Sequence, residues 1–583
     1  MSATAHQPLP TSPDTDGPDT TGMPDWPLRA WGLALLGGLT GLAVFAILRP
    51  DQRPMGLQPT DFHPTAATFL TVAGLVFAFV VERRHMAWSL IFALLSALVV
   101  AGATHGSTRA GFDEPWRILC AALAVGIAAP LFQAWRDQRL KNSQGNRWAI
   151  PYRPAHNHAW TNFVLWCAAW VFVVVVWLMA WLLAGLFNLI GIGILEDLLH
   201  KSWMQLALVG MALGGGIGLL RDRAPIVGLL QRVVTTVLSV LAPPLALGLA
   251  VFLIALPFTG LAPLWEATKS TTPILLCCVI GGLGLINAAI GDAPDHEARH
   301  PVLRSSVIVL CLALTPLAVI AAVSVGSRVS QHGLTPERLW AIIFTGIAVA
   351  YGLAYLVSLI RGRTKPAPFL RAANLKLAIG LCLVAFILST PLINFNAIST
   401  RNQVARLNSG AVSADEFDWA ALRFDFGQAG SAATEELARN GKTPAIRKAA
   451  AKALQQTDRW AARTVNPPID AARLTILPRP VELPAALHEK LSQYNACGLH
   501  GPCAVIHEAG SDEAIIVVGQ SVTLWHREGA SWQPVEPAYG IATPLRVRPE
   551  QLDKAVAAGK VEVRTIQRRQ VFIDGQPVGA DFK

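Results

Sequence analysis

Long uncharged apolar runs, separated by short polar segments, fill the chain up to residue 393. A helix needs roughly 20 apolar residues to cross about 30 Å of hydrocarbon, and most of the runs have about this length. The pattern therefore predicts a mostly α fold, a polytopic transmembrane helical bundle of about eleven spans. The spans are predicted near 30–48, 65–81, 86–103, 115–132, 161–187, 203–220, 233–256, 273–291, 303–325, 339–360 and 374–393.

Two local features refine this pattern. The apolar run over 161–195 is longer than the membrane is thick if it forms one helix, so we expect a break around Asn188, Gly191 and Gly193. The Gly-rich stretch Gly214–Gly218 lies inside an apolar span. It therefore predicts a surface for close helix packing rather than a phosphate-binding loop.

Composition and charge agree with a lipid environment. The chain is 52% hydrophobic and only 15% charged, whereas soluble globular proteins carry about a quarter charged residues. The formal net charge of +10 is compatible with nucleic-acid binding, but Lys and Arg lie mainly in short loops, where they orient membrane helices. We therefore expect the lipid bilayer as the partner rather than nucleic acid, with other envelope proteins as further candidates and no cofactor.

The distribution of Lys and Arg between alternate loops predicts the orientation. The set of loops that includes the N-terminus carries eighteen of these residues, and the opposite set carries eight. The richer side is expected to be cytoplasmic. After an odd number of spans the C-terminal domain is then periplasmic, and the membrane is predicted to be a bacterial inner membrane.

Composition shifts divide the chain into five parts. We predict a disordered cytoplasmic N-terminus (1–28), the transmembrane domain (29–393), a helical soluble segment (394–462), a Pro-rich linker (463–484) and a small α+β domain (485–583). Within the soluble tail, the patterns predict a helix start at Thr443-Pro444, strands at 504–507, 514–518, 521–526, 561–565 and 570–574, and a helix at 550–558.

Two of the eight cysteines lie in the soluble tail. Cys497 and Cys503 form a C-x5-C pair, and an oxidising periplasm would favour a disulfide between them. Two unrelated thiols are the alternative. A metal site with His500 and His507 does not match the usual zinc spacing. The other cysteines lie in apolar spans and are expected to pack as small apolar residues.

One motif is typical of metal chemistry. His296, Glu297 and His300 match H-E-x-x-H, in which two histidines one helical turn apart bind zinc and the Glu acts as a general base. Pro294 and Pro301 bracket the motif, and a residue before proline is biased away from helical geometry. The sequence therefore favours a solvated loop, and the same three residues remain the metal-site alternative.

Polar residues near or within the spans are further candidates, because ionisable groups inside a membrane are often functional. Pro243-Pro244 and Pro316 are expected to kink their helices, and broken helices can build transporter sites. The polar candidates are Asn188, Glu196, Asp197, Asn287, Asp292, Asn374 and Asn394.

Several stretches together resemble a bacterial family of polytopic inner-membrane proteins that is known only as domain of unknown function 4153. The matching stretches, within about 150–430, are Leu186–Ile192, Pro257–Leu261 with Leu264-Trp265, Arg328–Arg338, Gln403–Leu407, Phe417-Asp418 and Leu422–Phe424. The resemblance implies a membrane location and many spans. It implies no activity and no catalytic residues.

Some of these stretches fall in loops predicted to face the periplasm. Trp265, Arg328, Thr335 and Arg338 are therefore candidates for a surface that docks the proximal tail over 403–424. Thr335-Pro336 is also typical of the N-cap and N1 positions of a helix. The alternative is that these residues are helix-start signals and interfacial anchors.

Two classes of function follow from these patterns. The first is a non-enzymatic envelope scaffold or sensor with a periplasmic C-terminal domain. The second is a transporter or permease with a path through the kinked helices. A zinc-dependent membrane hydrolase is a more distant third, and no catalytic residue is assigned.

Overall fold

The structure is a computed structural model that describes residues 26, 28–48, 62–109, 115–141, 148–260, 271–297, 300–456, 459, 474–478, 483–493, 496–497, 503–508, 510–518, 521–529, 531–534, 554, 558, 569–573 and 576–582. The predicted disordered N-terminus falls almost wholly outside these ranges. The predicted strand at 561–565 and most of the predicted helix at 550–558 also lie outside them.

The chain divides into two compact units. The first comprises residues 1–409 with 426–429, and the second comprises 410–425 with 430–583. The described part of the first unit holds fourteen helices: α1 (Arg29–Leu48), α2 (Phe62–Val80), α3 (Met86–Arg109), α4 (Pro115–Lys141), α5 (Tyr152–Leu189), α6 (Ile194–Leu199), α7 (Ser202–Asp222), α8 (Ala224–Val240), α9 (Ala242–Thr259), α10 (Thr271–Ile290), α11 (Pro301–His332), α12 (Pro336–Gly362), α13 (Ala367–Ser389) and α14 (Phe395–Asn408).

Eleven helical segments of the described chain are long and apolar enough to cross a membrane. They coincide one for one with the predicted spans, so the multi-pass helical architecture is confirmed. The segment Pro225–Thr259 comprises two helices, α8 and α9, which meet at Leu241 just before Pro243-Pro244. Proline removes a backbone donor, which explains why the regular helix is interrupted there.

The break after the fifth span is also present. Helix α5 ends at Leu189, and Gly191 has a positive φ of 79° before the short helix α6 begins. Only glycine adopts this backbone conformation without a steric penalty. With 38 residues, α5 is about 57 Å long at 1.5 Å per residue. This length exceeds the roughly 30 Å thickness of the hydrocarbon core of a bilayer.

Helices α1 and α7 pack with their backbones in contact. A Cβ at Gly210 would overlap the carbonyl of Gly37, and one at Gly214 would overlap the carbonyl of Leu33. At Gly218 a Cβ would lie 2.6 Å from the Cα of Ala30. The three α7 glycines recur every four residues and so share one face of the helix. The predicted close packing surface is therefore confirmed, and its partner is α1.

The largest apolar core of the first unit lies between α9, α10, α11 and α12. Leu310, Leu314 and Leu317 of α11 are fully buried there, next to Ile286 of α10 and the ring of Tyr355 of α12. Lipid tails are as apolar as leucine, so close packing rather than escape from water holds such helices together. This packing brings polar groups on α10 and α12 next to each other.

The second unit combines helices with two small sheets. Strands β1 (Leu474–Leu477), β2 (Cys503–Ile506), β3 (Glu513–Val518), β4 (Ser521–Glu528) and β5 (Ser531–Pro534) form one sheet in sequential order, and β6 (Arg569–Ile573) pairs with β7 (Gln576–Phe582). The β1–β2 pair is parallel and the other pairs are antiparallel. The α-helices are α15 (Gly427–Asn440), whose first three residues belong to the first unit, α16 (Pro444–Gln455) and α17 (Ala485–Gln493).

The core of this unit lies between α17 and the five-stranded sheet. Leu487 and Leu491 of α17 are fully buried with Trp525 and Trp532. This α+β composition confirms the predicted fold class. Strand β1 lies inside the predicted Pro-rich linker, which the sequence interpretation missed. Its residues Leu474–Leu477 are apolar or β-branched and suit a strand, but flanking prolines dominated the pattern.

Candidate functional site

A polar cluster lies where α5, α10, α12 and α13 meet at one end of the helical bundle. We define it as Arg153, Asn157, Asn287, Asp292, His296, Glu297, Tyr355, Arg371 and Asn374. Burial of polar groups is costly unless they are hydrogen-bonded, so their partners indicate what the cluster does.

The carboxylate of Asp292 lies directly after α10 and is 6% exposed. Its Oδ2 accepts hydrogen bonds from Arg153 Nε at 3.2 Å and from Asn157 Nδ2 at 3.0 Å. Its Oδ1 is bonded to His296 Nδ1 at 2.5 Å. Burial raises the pKa of Asp292, but the hydrogen bonds from His296, Asn157 and Arg153 outweigh it and hold this pKa below its usual value. Asp292 therefore joins the first turns of α5 to the end of α10.

The guanidinium of Arg371 binds the C-terminal end of α10. Its Nη2 donates to the carbonyl of Ile290 at 2.6 Å, and its Nε donates to the carbonyl of Gly291 at 3.3 Å. The last carbonyls of a helix have no partner within the helix and carry its negative dipole end, so a cation is favourable there. Nη2 also reaches Glu297 Oε1 at 2.8 Å, which neutralises this carboxylate.

Three side chains inside the bundle form a closed ring of hydrogen bonds. Asn287 Nδ2 donates to the Tyr355 hydroxyl at 2.9 Å, and that hydroxyl donates to Asn374 Oδ1 at 2.6 Å. Asn374 Nδ2 closes the ring by donating to Asn287 Oδ1 at 2.6 Å. Tyr355 is fully buried. The ring therefore links α10, α12 and α13 through polar groups whose burial without hydrogen-bond partners would cost free energy.

Two polar side chains of α5 lie next to the cluster. The Tyr152 hydroxyl and His156 Nδ1 are buried, with Asn374 next to Tyr152 and Asn157 next to His156. The other ring nitrogen of His156 accepts from Trp160 Nε1 at 3.2 Å. The ring centroids of Tyr152 and His156 lie 5.4 Å apart. Tyr152 and His156 therefore place two further polar groups of α5 beside the cluster.

A second arginine binds the end of another short span in the same way. Arg136 Nη1 donates to the carbonyl of Val80 at 2.7 Å and to the hydroxyl of Ser89 at 3.1 Å. Its Nη2 reaches Glu82 Oε2 at 3.2 Å. Arg221 Nη1 donates to the carbonyl of Ala78 at 2.8 Å. Buried arginines thus satisfy the C-terminal carbonyls of both α2 and α10.

The H-E-x-x-H residues do not share a helical face. Residues Pro294–His296 form a single 3₁₀ turn, and the backbone at Glu297 is extended. His300 caps α11, because its Nδ1 accepts from the backbone N–H of Val302 at 3.3 Å. Each member of the motif has a different partner: Asp292 for His296, Arg371 for Glu297, and the α11 backbone for His300.

The loop between α11 and α12 binds the helix that follows the last span. From α14, Asn402 Oδ1 accepts from the backbone N–H of Leu334 at 2.8 Å, and Gln403 Nε2 donates to the carbonyls of His332 and Leu334 at 2.9 and 3.0 Å. Arg406 Nη2 donates to the carbonyl of Gln331 at 2.8 Å. The proximal tail therefore docks through side chains of α14, which bind the backbone of this loop and of the last turn of α11.

The other candidate docking residues have different positions. Arg338 Nη1 donates to the carbonyls of His332 and Gly333 at 3.1 and 2.8 Å, so it holds the loop rather than the tail. Thr335 caps α12 by accepting from the Arg338 backbone at 3.4 Å, as the sequence predicted. Arg328 lies on α11. Trp265 falls outside the described residues.

In the second unit, Cys497 and Cys503 form a disulfide. Both are buried against α17 and the sheet. His507 is also buried, and its Nδ1 is bonded to the carbonyl of Glu513 at 3.0 Å. In the part of the chain that the structure describes, no group of three or more His, Cys, Asp or Glu side chains is placed to hold a metal ion.

The polar candidates from the sequence separate into two sets. Asn287, Asp292 and Asn374 come together in the polar cluster. Asn188 binds Glu196 Oε2 at 2.9 Å across the break after α5, and Asn394 caps α14. Tyr355 and Arg371 were missed. Their only signals in the sequence are a hydroxyl in the middle of an apolar span and an arginine near a span end.

The chain matches no protein-family model, no curated protein and no solved structure. The resemblance of residues 150–430 to the family of unknown function therefore stays a prediction.

Proposed function

We propose that this protein is a non-enzymatic scaffold or sensor of a bacterial inner membrane, which presents its C-terminal domain in the periplasm. The docking of α14 on the loop between α11 and α12 carries the proposal. Three side chains, Asn402, Gln403 and Arg406, bind backbone atoms of this loop and of the last turn of α11, so the chain that leads into the tail is fixed to the membrane-embedded helices. A fixed start of the tail suits a scaffold or a sensor.

The partnering of charges in the membrane unit supports this class of function. Asp292, Glu297, Arg371 and Arg136 are each bonded to specific groups on other elements. Such closed networks rigidify a bundle and specify how its helices meet. The distribution of Lys and Arg supports the orientation, and the Cys497–Cys503 disulfide suits an oxidising compartment.

The orientation is tested with reporter fusions after Lys583 that are active only in the periplasm or only in the cytoplasm. We expect the periplasmic reporter to be active. A fusion after Arg363, between α12 and α13, is the matched control and should give the cytoplasmic signal. Cytoplasmic activity after Lys583 would refute the periplasmic domain.

The docking is tested by limited proteolysis of the full chain in detergent. Replacing Gln403 and Arg406 with alanine removes one hydrogen bond to the loop and two to the last turn of α11, so cleavage near residue 410 should become faster. Arg401 is exposed on the same helix and is the control, since Arg401→Ala leaves these bonds intact. Equal cleavage of the double variant and the control would remove the support for a fixed tail.

A transporter is the second candidate, and the buried ring of Asn287, Tyr355 and Asn374 favours it. Polar groups within spans often line the path of an ion or proton. Proton and Na⁺ flux into proteoliposomes is the measurement, with Tyr355→Phe as the variant. Flux that the variant abolishes would favour transport, whereas no flux with the unaltered protein would leave the scaffold as the better proposal.

A further inference from the structure

A groove borders the polar cluster, where the first turns of α11 meet the end of α10 and the connection from α12 to α13. It is shallow and open to solvent, with a volume of about 40 Å³. Its floor is apolar and its rim carries two cations. The floor includes Ile290, Leu303, Val307 and Ile308, and the rim cations are Arg304 and Lys365.

The two rim cations are available to a ligand. Arg304 and Lys365 are exposed, and neither side chain has an ion pair or hydrogen bond within the described part of the chain. Glu297 also lines the groove, but its carboxylate is bonded to Arg371 at 2.8 Å. The groove therefore carries a net positive field that an anion would neutralise.

The groove also lies at the depth where lipid headgroups are expected. It is built from the ends of three candidate spans, where Thr271–Ile290 ends and where Pro301–His332 and Ala367–Ser389 begin. Helix α13 starts at Ala367 in the lining, and a helix N-terminus favours negative charge. Arg361 lies in the last turn of α12 and Arg363 in the connection that follows it, and both add to the positive potential.

We propose that this groove binds the headgroup of an anionic phospholipid. Arg304 and Lys365 bind the phosphate, and the acyl chain begins along Val307 and Ile308 of α11. Basic pockets between transmembrane helices bind such headgroups by this combination of cations above an apolar surface. Under the predicted orientation, the lipid belongs to the cytoplasmic leaflet.

The test uses the purified full chain in detergent with added phosphatidylglycerol. The unfolding midpoint should rise with lipid concentration, because a ligand that binds only the folded state stabilises it. Each cation contributes about 1 kcal/mol near a membrane surface, so Arg304→Gln or Lys365→Gln should weaken the apparent affinity about fivefold and the double variant about 30-fold. Native mass spectrometry counts retained lipid independently of any change in basal stability.

Two controls make the result specific. Arg232→Gln removes an exposed cation on α8 away from the groove and should bind phosphatidylglycerol like the unaltered protein. Phosphatidylcholine should give no comparable rise. Equal binding by the double variant, equal stabilisation by phosphatidylcholine, or equal stabilisation by inorganic phosphate alone would each overturn the assignment.

Discussion

Arg371 donates a hydrogen bond of 2.6 Å to the carbonyl oxygen of Ile290, eighty-one residues earlier in the chain. The contact satisfies the open end of α10 and places a cation at the negative end of the helix dipole. The same guanidinium binds Glu297, so one side chain of α13 fixes both the end of α10 and the loop that follows it. This relationship organises the polar cluster.

Replacing Arg371 with leucine should destabilise the membrane unit by about 2–3 kcal/mol. The change leaves the carbonyls of Ile290 and Gly291 and the Glu297 carboxylate without their donor, and hydrogen bonds to charged groups are the stronger ones. Thermal unfolding in detergent measures the effect. Glu297→Gln keeps both carbonyl contacts and should cost less. An equal loss from the two variants would show that the helix end is not the main target of Arg371.

Replacing Tyr355 with phenylalanine should destabilise the bundle by about 1–3 kcal/mol. The substitution keeps the ring's volume but removes the hydroxyl that accepts from Asn287 and donates to Asn374. Tyr351 lies one turn earlier on α12 and is only partly buried, so Tyr351→Phe is the matched control. Thermal unfolding of both variants is the measurement. If Tyr355→Phe behaves like the control, the ring contributes nothing to stability.

Replacing Gly210 or Gly214 with alanine should destabilise the packing of α1 on α7 by about 1–3 kcal/mol. The added methyl group meets backbone of α1, which cannot move aside as a flexible side chain can. Gly185 and Gly281 have open space around their Cβ positions, so alanine there should be tolerated. Thermal unfolding separates the two pairs. If alanine lowers the unfolding temperature equally at all four positions, the close packing of α1 on α7 does not stabilise the protein.

The stabilisation by Asp292 should depend on pH in one direction. Its pKa in the folded protein is lowered below the unfolded value of about 3.9, so the stabilisation is present at neutral pH and is lost as the pH falls through the folded-state value. Asp292→Asn should therefore lower the free energy of unfolding by about 1–2 kcal/mol at pH 7. The difference in this free energy between the variant and the unaltered protein should become smaller towards pH 3.

Asp295 is the control for this experiment. Its side chain is 63% exposed and its contact with His296 is 3.6 Å long, so Asp295→Asn should have little effect at either pH. Unfolding midpoints at pH 7 and pH 3 give the comparison. If the difference in unfolding midpoint between Asp292→Asn and the unaltered protein is the same at both pH values, the carboxylate charge of Asp292 does not stabilise the fold.

The sequence alone predicted the spans, because the length and apolar composition needed to cross a bilayer are local properties of a chain. The break at Gly191, the glycine packing face of α7 and the caps at Thr335 and Thr443 follow from equally local rules. Asn287, Asp292 and Asn374 could be singled out because polar residues near spans are rare.

Only the tertiary structure decided which of these groups meet. Nothing in the sequence pairs Arg371 with Ile290, Arg136 with Val80 or Gln403 with His332, because these contacts depend on how distant helices pack. The sequence likewise does not show that α1 is the partner of the α7 glycines. Nor does it show that β1 is a strand, because β1 is stabilised by pairing with β2, which begins at the disulfide-bonded Cys503. Composition and periodicity specify each helix, whereas close packing and the need to satisfy buried polar groups select their neighbours.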